Sequence, residues 1–188
     1  MLKIISGGQE GVDLAALRAA KRAGFQTGGY MTSDFATSGG KRPEYEHEYG
    51  MVARPVMKSP SAAYVDRTRA NVKASDLTIL IATDLASRGS IATQRAADDY
   101  KKQCVCVGVD PKMLDLDKVM TEHKDAVVAA SQVIAYTMGF YAFSGAKVIN
   151  FAGNRSPELG ELAEAMLSEI FRSLRDRIAE RLVAGVPA

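Results

Sequence analysis

Two rhythms of apolar positions divide this chain into segments. Leu2 to Ser6 is a short apolar run closed by glycines, and Val12, Leu14, Ala15, Leu17, Ala19, Ala20 and Ala23 then recur at helical spacing. The pattern predicts strand, tight turn and helix. Phe25 to Tyr30 reads as a second short strand, and 31–60 carries glycine, proline, serine and charge with so little periodicity that it reads as a long surface loop. Ser61 is the expected N-cap of a helix running to Ala74. Leu77 to Ala82 is a continuous aliphatic run, the signature of a strand covered on both faces. A helix over Ser90 to Lys102 follows, then strands over Cys104 to Val109 and Lys147 to Phe151. A long amphipathic helix starts at Pro157 and runs to about Val183. Strands alternating with helices imply an α/β, Rossmann-like architecture, a mostly parallel sheet with helices on both faces.

A chain of 188 residues can bury one core and falls short of two domains, so 1–188 is read as a single Rossmann-like domain. Its two irregular parts are the loop at about 31–60 and an extended helical segment at about 112–144. The 24 basic and 22 acidic residues nearly cancel, so a net charge of +2 gives no general pull toward nucleic acid or an anionic membrane. An anionic partner needs a local basic site. Ala126 to Phe143 is apolar enough to raise the question of a membrane span. Ser131, Gln132, Thr137 and Gly139 interrupt it, however, and a buried or subunit-interface helix is the expectation, with neither membrane nor nucleic acid as partner. Cys104 and Cys106 are expected as buried reduced thiols, too far apart along a strand for easy bridging. With no apolar leader in view, they fit a cytoplasmic location.

Between the first strand and first helix stands Gly7-Gly8-Gln9-Glu10-Gly11. Glycines there let the backbone turn sharply and approach a ligand, while free N–H groups at a helix start attract an anion. The spacing is neither the dinucleotide fingerprint nor the Walker loop, and a purely structural turn explains it too. Asp13 is either a ligand contact or a carboxylate favouring the positive helix end. Arg67, Thr68 and Asn71 share a helix face and offer a guanidinium, a hydroxyl and an amide; a packing network is the competing reading. Arg88, Gly89, Ser90 and Thr93 follow a strand where open parallel sheets collect ligands, although capping by Ser90 explains part of this. Arg155 either reaches an anion or stays on the surface. Glu44, Glu46, His47 and Glu48 offer metal donors without the regular spacing of helix-borne zinc motifs, so a solvated loop and no metal site is expected. His123 stands alone among charges and is given no role.

The motifs Ile5-Ser6-Gly7-Gly8-Gln9-Glu10-Gly11-Val12-Asp13, Thr27-Gly28-Gly29-Tyr30, Tyr64 with Arg67-Thr68, Asn71-Val72, Ser75-Asp76 and Asn150-Phe151-Ala152-Gly153 occur in order along most of the chain. Together they resemble the putative molybdenum carrier family, related to a circularly permuted branch of a Rossmann-like nucleotide-binding superfamily. The resemblance implies a Rossmann-like domain, homo-oligomers, and carriage of the molybdenum cofactor, a phosphate-bearing pterin. It assigns ligand binding to Gly7, Gly8, Gln9, Gly11 and Asp13 in the first loop and to Gly28 and Gly29 in a second glycine turn. Arg67, Thr68, Asn71, Arg88, Gly89, Ser90 and Thr93 complete the expected set, with no catalytic residue. The chain departs from the family pattern in places. Glu10 replaces a common threonine and puts a negative charge beside the expected phosphate unless it turns away. Tyr30 replaces a frequent tryptophan, and Arg88-Gly89-Ser90 with Thr93 replaces two adjacent glycines and a threonine. The expected function is a binding and carrier protein for a small phosphorylated ligand, the molybdenum cofactor or a nucleotide derivative. Two alternatives stand beside it: a nucleotide-sensing module, and an N-glycoside hydrolase of the kind a related branch contains, although the helix after Gly89 has no carboxylate before Asp98.

Overall fold

The structure, a computed structural model, describes residues 2–114 and 124–184. Strand β1 (Lys3–Ser6) leads through the glycine loop into α1 (Val12–Arg22) and β2 (Gln26–Met31). A short hairpin, β3 (Ala36–Thr37) and β4 (Gly40–Lys41), precedes α2 (Tyr45–Tyr49) and β5 (Met51–Ala53). Then come α3 (Pro60–Ala74), β6 (Leu77–Ala82), α4 (Arg88–Tyr100), β7 (Gln103–Gly108), α5 (Lys124–Phe143), β8 (Val148–Gly153) and α6 (Pro157–Val183). Six strands form one wholly parallel sheet in the order β5-β2-β1-β8-β6-β7. The last strand in sequence is thus inserted at the centre, between β1 and β6.

Alternation along β6 separates the two faces. Leu77, Ile79 and Ile81 join Ile4, Ile149 and Phe151 in the main core, which α1, α5 and α6 cover. On the other face α3 and α4 pack through Val72, Ala96 and Ala97. At the edge of the sheet β7 has one neighbour only, and neither thiol of the expected buried pair is fully buried. Cys104 is partly covered, and burial pushes its thiol up to about 12, but Cys106 is exposed.

The expected loop over 31–60 is a correction. Its ordering comes from a few large anchors: Phe35, Tyr45, Tyr49 and Met51 close a second small core with Met31, Leu14 and Leu17. A segment held at four points shows no period. Both expected caps also move. Ser59 caps α3 by accepting the Ala62 N–H at 3.3 Å, with Pro60 in the first turn, and Ser87 caps α4 by accepting the Ser90 N–H at 3.3 Å.

Helix α5 is long and apolar enough, by length and composition, to cross a membrane, yet only 17% of its most apolar window is buried. Ile134, Met138 and Gly139 pack inward while Val133, Tyr136 and Phe140 are exposed, so the expected buried helix is buried on one side only. Residues 115–123, with His123, lie outside the described residues.

Close approach of β2 to β1 depends on Gly29, whose φ is +130°; a Cβ there would stand 2.0 Å from the Ser6 carbonyl oxygen. Gly29→Ala is therefore expected to cost roughly 2–4 kcal/mol in urea denaturation, from backbone strain plus overpacking. Gly89→Ala meets open space inside a helix and is expected to be neutral or stabilising by about 0.5–1 kcal/mol.

Candidate functional site

Where β1 ends, the chain uses its own groups to satisfy the turn. Ser6 Oγ donates to the Asp13 carbonyl at 2.9 Å and accepts the Gly8 N–H at 3.2 Å. Gly7 leaves a hole where a Cβ would lie 1.3 Å from Arg67 Nη1, and the guanidinium of α3 fills it. Arg67 Nη1 then donates to Asp13 Oδ2 at 3.0 Å, and the same oxygen accepts the Gln9 N–H at 3.4 Å. Burial pushes the Asp13 carboxyl above the usual carboxylate range, against the pull of Arg67. At the start of α1 the Val12 N–H reaches the Asn154 carbonyl at 3.5 Å.

Part of the turn is thus satisfied from within the chain. The N–H groups of Gly8, Gln9 and Val12 already have acceptors, and the negative charge beside them is the Asp13 carboxylate. The other glycines serve packing. Gly8 lies against Met31, Gly11 against the Asn154–Arg155 backbone and Gly160, and Gly28 against Lys3 and the Gly50 carbonyl. Gly28 and Gly29 belong to strand β2, not to a turn.

Between α3 and α4, over the carboxyl ends of the central strands, opens a cleft of about 320 Å³. Of the expected residues, Gly7, Gln9, Asp13, Arg67, Thr68, Asn71, Arg88, Gly89 and Thr93 line it; Gly8, Gly11, Gly28, Gly29 and Ser90 do not. Several of those present have their polar atoms in use. Asn71 extends the sheet beyond the end of β1: its Nδ2 donates to the Tyr30 carbonyl at 3.0 Å and its Oδ1 accepts the Tyr30 N–H at 2.9 Å. Ser90 Oγ donates to the Asp84 carbonyl and accepts from Ser87, which explains why it faces away from the cleft. Thr93 Oγ1 donates to the Gly89 carbonyl.

Arg88 is joined at the cleft by Arg155 and Asn150. Arg155 and Arg88 are exposed at the cleft, with no carboxylate partner among the described residues, and the Arg155 guanidinium sits 4.6 Å from the centre of the Tyr64 ring. Asn150 lies on the cleft wall contributed by β8, 2% exposed. Three lining residues carry a buried polar atom with no partner among the described residues: Gln9 Oε1, Arg67 Nε and Asn150 Oδ1. Natural cores leave few such atoms, each costing about 1–3 kcal/mol, and of the four among the described residues only Arg42 Nε belongs to a residue away from this cleft.

Glu10 turns away from this cleft. Its two oxygens accept the Ser38 and Gly39 N–H groups at 2.8 Å each, clipping the β3–β4 hairpin to the first loop, and Gln9 Nε2 adds a bond to the Ala36 carbonyl at 2.8 Å. Desolvation works against ionisation of Glu10, but hydrogen bonds from the hairpin, among them those of the Ser38 and Gly39 N–H groups, hold its carboxyl at about 2. The acidic cluster near α2 is divided among cations, Glu44 with Arg42 and Glu48 with Lys21, and no group of three metal-ligating side chains occurs among the described residues.

A wholly parallel sheet whose central strand comes last, with a cleft at the carboxyl ends of its strands, defines a Rossmann-like ligand-binding domain. The model of the circularly permutated YpsA SLOG family matches residues 4–171, and the chain belongs to that family. It is similar to the crystal structure of a putative molybdenum carrier protein from Syntrophus aciditrophicus SB, at 31% identity and a TM-score of 0.68, over 91% of this chain and 94% of that one. No functionally curated protein matches it significantly.

Because the Glu10 carboxyl lies near 2 in the folded chain, against an ordinary 4.5, its contribution is fully present above pH 4.5 and is lost as pH falls toward 2. The difference in Tm between the wild type and Glu10→Gln is expected to shrink steadily from pH 5 to pH 3. A difference that stays constant across that range would contradict the latch.

Proposed function

We propose that this protein binds and carries a small phosphorylated ligand in the α3–α4 cleft, the molybdenum cofactor or a nucleotide derivative. The observation that carries this reading is the set of buried atoms unpaired among the described residues, Gln9 Oε1, Arg67 Nε and Asn150 Oδ1, beside Arg88 and Arg155, which have no carboxylate partner at hydrogen-bond distance among those residues. The anion belongs at the rim, where Arg88 and Gly89 open α4 and first-turn amides have no partner within the helix. Gly89 has open space in front of it, and Arg155 faces the same cleft. Thr68, half-buried on the α3 wall, offers a hydroxyl to the ligand's middle. In this reading Asp13 and Gly7 hold Arg67 in place, and the first loop shapes the cleft without gripping the phosphate.

The name of the Syntrophus relative supports molybdenum carriage, and a phosphate-bearing pterin suits a cleft with cations at its rim and neutral polar atoms within. Carriage needs no chemistry on the cargo. Hydrolysis of an N-glycosidic bond needs a free carboxylate, whereas Asp13, the carboxylate lining the cleft, is committed to Arg67 and Gln9. Homo-oligomerisation belongs to the same proposal, supported by the exposed Val133, Tyr136 and Phe140 on α5.

Isothermal titration with a pterin phosphate and with nucleoside monophosphates tests the reading. Saturable binding is expected, and Arg88→Ala is expected to weaken it about 10–100-fold, the effect of losing one charge-assisted hydrogen bond. No binding by any phosphorylated compound, together with no pterin released on denaturing extraction of the purified protein, would overturn it.

A further inference from the structure

Helix α3 carries a second concave surface on the side turned away from the cleft. Arg67, Thr68 and Asn71 look toward the cleft, and at about 100° per residue Asp66, Arg69, Ala70 and Lys73 stand on the far side of the same helix. They line a pocket of about 500 Å³ that shares no lining residue with the cleft. Alanines 70 and 74 form its floor, and the rings of Tyr30, from β2, and Tyr100, from the end of α4, flank it. Arg54 enters just past β5, pinned beside Tyr30 by its own N–H on the Met31 carbonyl at 2.9 Å.

Three cations and one carboxylate line this pocket. Arg54 gives Nε and Nη2 to Asp66 at 2.7 and 3.1 Å, which leaves Nη1 without a partner among the described residues. Arg69 gives Nη1 to Asp99 at 2.6 Å, a carboxylate outside the lining and half exposed. Lys73, one turn further on, has no carboxylate partner among the described residues. Like charges four positions apart on a helix repel, yet Arg69 and Lys73 both turn to the Tyr100 ring, 5.0 and 5.8 Å from its centre. Arg54 lies 5.6 Å from the centre of the Tyr30 ring. The two rings thus gather the cations around the alanine floor instead of letting them spread into water. Lys73 alone would answer the negative end of α3, but that role calls for no guanidiniums beside it. We propose that this pocket is a second anion site, separate from the α3–α4 cleft, which takes a phosphate group, free or as a monoester. Lys73 Nζ and Arg54 Nη1 donate to its oxygens, and Arg69 completes the charge. A tetrahedral dianion offers oxygens in several directions at once, as donors arriving from both α3 and the end of β5 require. The site stands whatever fills the cleft.

The tyrosines make the two sites separately visible. Tyr30 and Tyr100 flank the pocket, whereas Tyr64 lines the cleft. Fluorine NMR of the full chain labelled with 3-fluorotyrosine, its seven resonances assigned by Tyr→Phe substitution, is followed during titration with inorganic phosphate and with ribose 5-phosphate at constant ionic strength. The Tyr30 and Tyr100 resonances are expected to move and to saturate. Equal midpoints for the two probes identify free phosphate as the ligand and a lower midpoint for the ester identifies a monoester; either result bears the inference out. Lys73 is exposed, so Lys73→Ala keeps the fold, and it is expected to raise that midpoint at least about tenfold, the effect of losing one charge-assisted hydrogen bond, while leaving the Tyr64 response unchanged. Arg88→Ala is expected to leave the Tyr30 and Tyr100 response as it was, which keeps this test apart from that of the cleft. Movement of Tyr64 alone, a linear drift of Tyr30 and Tyr100 that sodium chloride reproduces, or an unchanged midpoint in Lys73→Ala overturns the second site.

Discussion

The buried pair of Asp13 and Arg67 organises everything around it. Arg67 enters from α3, Asp13 stands in the first turn of α1, and Gly7 supplies the space in which they meet at 3.0 Å. Removing two charges from water costs more than a single contact returns, so a pair of this kind is poor evidence of net stability. Its value is in specifying geometry. The pair sets the distance between the first loop and α3, and with it the width of the cleft. It also gives the first loop its shape, because the carboxylate accepts the Gln9 N–H that an external anion would otherwise claim.

The sheet depends on the same junction. Strand β1 stops at Ser6 so that its chain can turn under Arg67, which would strip the next residues of β2 of their partners. Asn71 replaces the missing strand with both ends of one amide, and Gly29 lets β2 run close enough to Ser6 for this to work. Four turns of α3 thus carry one residue that plugs the loop and another that completes the sheet, four positions apart on one face. A cleft at the carboxyl end of the strands follows from those two substitutions of side chain for backbone.

Much of this fold was legible because strong periodicity and continuous burial leave a local trace. Leu77–Ala82 is buried at every position, and α6 spans Pro157–Val183, the extent that its amphipathic pattern predicts. Residues 31–60 were not legible, since Phe35, Tyr45, Tyr49 and Met51 act through contacts with Leu14 and Leu17 that no local period encodes. The site shows the same division. The motifs brought Gly7, Gln9, Asp13, Arg67 and Thr68 to one place, but which amides stay free depends on acceptors as distant in sequence as Asn154, and that is invisible in a string of letters. Asn150 was readable only as part of a motif. Its unpaired oxygen results from a relay through Thr78 and Ser75 that exists only once β6 and β8 are side by side.

The departure at Glu10 fits the same economy of charge. A carboxylate facing the cleft would oppose any phosphate, and here it is turned toward the hairpin amides and held ionised outside. Asp13 remains, but Arg67 answers its charge. What the cleft shows a ligand is therefore cationic at the rim, through Arg88 and Arg155, and neutral in its depth, through amide oxygens. In the proposed function, this polarity sets the phosphate of the ligand at the rim.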